Sequence, residues 1–134
     1  MSVIIFACTG SKKAGGDNAS LNGTWELTYI TGPRIAFDGL YPKKKPFIKF
    51  KLDSMEVSGN NSCNGFGGKF TLDGNKLKFG NLIQTMMACP GEGEPVFRKY
   101  IEQVDSYKIE NGSLLLLAKD VTVMRFKRIA DRAE

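Results

Sequence analysis

The sequence contains no histidine and only three cysteines in 134 residues. Without imidazole the chain lacks the commonest general base, every Ser-His-Asp or Cys-His nucleophile system, and the commonest transition-metal ligand. The three thiols are too widely spaced for a zinc ribbon. The expectation is therefore no metal, no cofactor and no catalytic residue. What is present is one domain's worth of apolar material, 42 % of residues. A chain of this length buries about 68–70 % of its extended surface, enough for one core. The net charge is +5, with the excess concentrated in residues 1–50 at Lys12, Lys13 and the run Lys43, Lys44, Lys45. No arginine-rich helix or aromatic-basic motif accompanies it, so nucleic acid is not an expected partner.

The run Val3-Ile4-Ile5-Phe6-Ala7-Cys8 ends in a small residue and then cysteine. It resembles the C-terminal half of a bacterial lipoprotein signal, in which an apolar, a tolerant and a small residue precede the cysteine, here Ile5, Phe6 and Ala7. Phe6 departs from the usual small or branched residue, and the basic segment and longer apolar core of a full secretory signal are not seen before Cys8. Residues 10–20 are Gly, Ser, Lys, Ala, Asp and Asn without periodicity, the composition of a flexible tether. The resemblance implies lipid attachment at Cys8, membrane contact through that anchor, and a place in the bacterial cell envelope as an outer-membrane lipoprotein. The alternative is a buried edge strand at residues 3–7 with Cys8 as a core thiol. The expected organisation is signal and tether over 1–21, a folded domain over 22–128 and a polar tail over 129–134.

From Gly23 the apolar residues recur with period two. Trp25, Leu27 and Tyr29 alternate with polar neighbours, as do Ile48, Phe50 and Leu52, then Met55 and Val57, then Phe66, Phe70 and Leu72. Asp73-Gly74-Asn75 and Asn111-Gly112 are turn signals between such runs. The period changes once: Val96, Phe97, Tyr100, Ile101 and Val104 mark one helix near 95–104, with Pro95 in its first turn. Strand pattern then returns through Leu114 to Leu117 and from Val121 to Lys127. These readings predict an α+β, mainly β fold: an antiparallel curved or barrel-like sheet of about seven or eight strands with one helix packed on it.

Two stretches carry a more specific signal. One is Gly59-Asn60-Asn61-Ser62-Cys63-Asn64-Gly65-Phe66-Gly67-Gly68; the other is Thr85-Met86-Met87-Ala88-Cys89-Pro90. With Gly23-Thr24-Trp25-Glu26-Leu27 and the closing hairpin they resemble the META domain, also called the HslJ family, over about residues 22–128. The motif positions are Gly59, Cys63, Asn64, Phe66 and Gly68, then Thr85, Met87, Cys89 and Pro90. The resemblance implies a small β-rich domain of bacterial envelope lipoproteins, linked to heat shock, antibiotic tolerance or virulence, with no established enzymatic activity. The expected function is thus a noncatalytic envelope domain that binds a protein or envelope component in stress tolerance. A lipocalin-like carrier of a small hydrophobic ligand is the alternative, because Gly23-Thr24-Trp25 also fits the Gly-x-Trp opening of that fold. It requires an enclosed apolar cavity.

In an exported protein Cys63 and Cys89 are expected to pair as a disulfide, with two buried free thiols as the alternative. Asn64 and the glycines at 59, 65, 67 and 68 read as a turn or bulge set in which glycine supplies positive φ. Met86 and Met87 are expected to fill a gap under the helix. Glu92 and Glu94 are expected as solvated acids at the helix N-terminus.

Overall fold

The computed structural model describes residues 19–32 and 36–131. Cys8, Lys12 and Lys13 lie outside them. Among the described residues the alternating runs form nine strands: β1 (Gly23–Ile30), β2 (Phe47–Lys51), β3 (Glu56–Asn60), β4 (Gly65–Asp73), β5 (Lys76–Phe79), β6 (Ile83–Gln84), β7 (Ser106–Glu110), β8 (Ser113–Ala118) and β9 (Val121–Ile129). Two helices accompany them, α1 (Phe37–Leu40) and α2 (Gly93–Ile101). All pairings are antiparallel, and because β1 pairs with both β2 and β9 while β3 also pairs with β4, eight strands make a closed, ring-like circuit. The short β6 continues the line of β5 along β4. The narrowest link in the ring is β5 to β7, one residue pair, Lys76 with Ser106.

The period-two pattern points Trp25, Leu27, Ile48, Phe50, Phe70 and Phe126 into the ring, all buried. Each such side chain contributes about 1.5–3 kcal/mol by leaving water. With Leu77, Leu114, Leu116 and Met124 beside them they fill the interior. These buried side chains stand where the carrier alternative would place its enclosed cavity. A correction concerns Tyr29. The β1–β9 register shifts between Leu27 and Tyr29, so Tyr29 turns outward to 38 % exposure and Ile30 takes the buried place. Outside, the Arg125 guanidinium lies 5.1 Å from the Tyr29 ring centroid.

Helix α2 begins and ends earlier than its apolar spacing suggests. Its start is fixed by close packing, since a Cβ on Gly93 would lie 2.6 Å from the Tyr41 ring and 2.7 Å from the Leu40 carbonyl oxygen. Phe97 and Ile101 are its buried face, and Phe97 packs on Phe66 with centroids 5.7 Å apart. The single helix expected from periodicity is therefore joined by a second, α1, whose four residues are too few to show a period. Following the chain from strand to strand, both helices and the 61–64 turn lie at one end of the ring. The turns after β2, β4 and β7 lie at the other, with the start of β1 and the finish of β9. There Thr24 pairs with Ile129, and Arg128 stacks 4.2 Å over Trp25 while donating to the Asn22 carbonyl. Among the described residues no helix is long and apolar enough to cross a membrane.

Candidate functional site

At the helical end of the ring the two motif stretches meet. The β3–β4 turn is built by asparagines: Asn60 Oδ1 accepts the Ser62 N–H at 2.8 Å, and Asn61 Oδ1 accepts those of Cys63 and Asn64 at 3.1 and 2.7 Å. This satisfies a turn in which Ser62 sits at φ 87°. Asn64 then reaches across to the segment after β6. Its Oδ1 accepts the Thr85 hydroxyl and the Met87 N–H, both at 2.7 Å, while its Nδ2 donates to the Met87 carbonyl at 3.2 Å. Cys63 and Cys89 form a disulfide across the same junction, Cα atoms 6.0 Å apart. Cys63, Asn64, Thr85, Met87 and Cys89 are thus brought together as one clamp. Pro90 follows it, exposed, in the loop leading to α2.

The motif glycines do different work from that expected. Among the described glycines, positive φ occurs at Gly23, Gly32, Gly74, Gly91 and Gly112, and not at Gly59, Gly65, Gly67 or Gly68. Gly59 is opposite Phe66 on β4, and a Cβ there would stand 2.2 Å from the Phe47 carbonyl oxygen and 2.8 Å from the Phe66 ring. Gly68 likewise leaves room for the 81–82 backbone, whose Asn81 carbonyl oxygen would be 2.9 Å from an added Cβ. Close approach is the reason for both: the Phe66 ring lies over the bare position at Gly59, and the 81–82 segment over that at Gly68.

Between the outer edge of residues 79–84 and α2 lies a cleft of about 540 Å³, floored by Phe66, Phe79, Phe97 and Ile101 and walled by Gln84 and Arg98. It adjoins a shallower groove of about 520 Å³ that shares Phe66 and Gln84 and runs past Ile83 to Met87. Cleft and groove make one track. Along it the chain from Phe79 to Gly91 carries no charged residue, and Ile83, Met86 and Met87 are 78 %, 86 % and 61 % exposed. The methionines therefore face water rather than filling a gap beneath the helix: Met87 lines the groove at the rim of the track, its backbone held by the Asn64 clamp, and Met86 precedes it in the chain, more exposed still.

Polar groups behind the cleft are paired with one another. The Glu94 side chain, 15 % exposed, is not the solvated acid its loop composition suggests. Its Oε2 accepts from Gln84 Nε2 at 3.2 Å and Asn61 Nδ2 at 3.4 Å, and lies 3.4 Å from the Arg98 guanidinium. Glu92 is exposed and makes no side-chain cap bond. Burial, and after it the charge of Glu94, pushes the Tyr41 hydroxyl above its ordinary value of 10.0, so it stays protonated and donates to the Gly93 carbonyl at 2.8 Å. The chemistry this arrangement offers is hydrogen bonding and apolar contact. Among the described residues no group of three or more metal-ligating His, Cys, Asp or Glu side chains is found. Periodicity could not announce Asn61, Gln84 or Tyr41, because their partners are far away in sequence. The one local signal was Asn61 two residues before Cys63, the spacing of an Asx turn.

A family model describing the META domain matches residues 19–131. The chain belongs to the META domain family. Solved structures share its fold. An NMR structure of a protein from Burkholderia xenovorans superposes with a TM-score of 0.64 at 20 % identity, over 84 % of this chain and 87 % of that one. A crystal structure of a DUF4847 family protein from Bacteroides vulgatus gives 0.60 at 15 % identity, over 86 % and 98 %. No curated protein matches the chain. The two stretches that resemble the META signature form the Asn64 and disulfide clamp, with Gly59 and Gly68 allowing close approach.

Proposed function

We propose that this META domain is a noncatalytic binding module that captures an extended, apolar segment of a partner protein along the track beside α2. A lipid on Cys8 would hold it at the bacterial envelope, so that stress tolerance is served by what it captures there. The observation that carries the binding role is the exposed Ile83 on β6, a strand paired on one side only, followed at once by the exposed, uncharged Met86 and Met87. Edges of soluble sheets are ordinarily guarded by charge, proline or cover, and exposed apolar patches rimmed by polar groups mark interaction sites. An extended segment suits the edge because its main chain supplies the missing partner. Methionine suits the rim because its flexible thioether adapts to different side chains.

The test is capture from envelope extract by the tagged domain, compared with Ile83→Glu and Met86→Glu variants that melt at the wild-type temperature. Loss of the captured protein in both variants supports the reading; equal capture by wild type and variants overturns it. Anchoring is tested separately by fractionating cells that express the full-length gene product and its Cys8→Ala variant. Membrane association that disappears in the variant is the expected result.

A further inference from the structure

We propose that Met86 and Met87 form a site of reversible sulfoxidation, at which a two-electron oxidant such as a hydroperoxide turns the rim of the track from apolar to polar. Exposure and the pairing of the cysteines carry the inference. Among the described residues the two cysteines are joined to each other, so neither offers a thiolate to the oxidant. Met124 is 0 % exposed, inside the ring, and Met55 is partly buried against the core. Met86 and Met87 are adjacent, 86 % and 61 % exposed, the most exposed methionines of the described fold.

The chemistry is balanced without a metal. A thioether sulfur attacks the terminal oxygen of the hydroperoxide; the S–O bond forms as the O–O bond breaks, and the alcohol or water departs with the proton. Methionine is oxidised by two electrons and the peroxide reduced by two. Methionine sulfoxide reductases with a thiol donor reverse the change, each enzyme acting on one sulfoxide epimer. The fold is suited to survive the cycle. Asn64 holds both the N–H and the carbonyl of Met87, and the disulfide closes at Cys89 two residues on. Oxidation therefore alters the side chains of a fixed backbone. That the change governs partner capture rests on the binding role proposed above; the oxidation site and its polarity change do not.

The experiment treats the full chain with limiting hydrogen peroxide and follows each methionine by peptide mapping. Met86 and Met87 are expected to gain one oxygen each, on the order of tenfold faster than Met55 and Met124. The melting temperature should stay unchanged. Binding of an apolar fluorescent dye should fall on oxidation and return after treatment with both reductases and dithiol. A Met86→Leu, Met87→Leu variant should keep its dye binding through the same treatment. Oxidation of Met55 or Met124 at a comparable rate, a fall in melting temperature with oxidation, or dye binding that ignores the sulfoxides would each overturn the proposal. Selective, reversible oxidation with unaltered capture from extract would leave the site standing and count against the role of the methionines in the partner surface.

Discussion

Asn64 is buried, and both ends of its amide are committed to the segment that follows β6. Removing that side chain deletes three part-buried hydrogen bonds, to the Thr85 hydroxyl and to the Met87 N–H and carbonyl, each worth about 0.5–1.5 kcal/mol. Asn64→Ala should therefore lower the unfolding free energy by about 3 kcal/mol, read as a shifted urea midpoint. Tyr41 gives a pH signature. Its folded-state pKa is raised above the ordinary 10.0 by burial and by Glu94, so its stabilising contribution is complete below that value and is lost as pH rises through the folded value. Urea titrations from pH 8 to 11 should show stability falling above about pH 10, with the slope reduced in Tyr41→Phe. At neutral pH the same variant should cost about 1 kcal/mol, because the Gly93 carbonyl loses its donor. At this scale the sequence was legible for residue identity and less so for role. That Asn64 and the glycines shape backbone could be read. That Gly59 serves close approach rather than positive φ, that Glu94 is sheltered and that the methionines face water all depend on partners supplied by other strands.

Among the elements, the strands were readable because one wet face and one dry face impose period two on most of them. The lapses fall where that rule is locally suspended. The bulge in β1 turns Tyr29 out, β6 has only two residues, and α1 is a single turn fixed by Leu40 and Tyr41 against the start of α2. The β3–β4 pair offers a direct check. Gly59→Ala would push a methyl group into the Phe47 carbonyl and the Phe66 ring, and should cost about 2 kcal/mol. Gly67→Ala on the neighbouring strand meets its nearest atom at 3.5 Å, an ordinary contact, and should change the thermal midpoint little. Equal destabilisation by both would show that β propensity, rather than the close approach at Gly59, governs this hairpin.

For the molecule as a whole, the disulfide between Cys63 and Cys89 closes a loop spanning 26 positions. The chain-entropy model gives it about 3.5 kcal/mol. Replacing both cysteines by alanine should lower the melting temperature by about 10–15 °C in calorimetry, with the ring still formed at room temperature. The pairing was foreseeable once the two motif stretches were taken together, and a curved or barrel-like sheet was expected, whereas which strands close it was not legible, since nothing in β1 or β9 alone announces that they are neighbours. That neighbourhood has one more consequence. Because Thr24 pairs with Ile129 and its hydroxyl donates to Asp131, the first and last strands of the fold lie side by side, and the order in which the strands are strung is separable from the way they are arranged. A circular permutant that joins residue 131 to residue 19 through a short linker, and opens instead between Asn111 and Gly112, should give the same dispersed amide spectrum and the same Cys63–Cys89 bond.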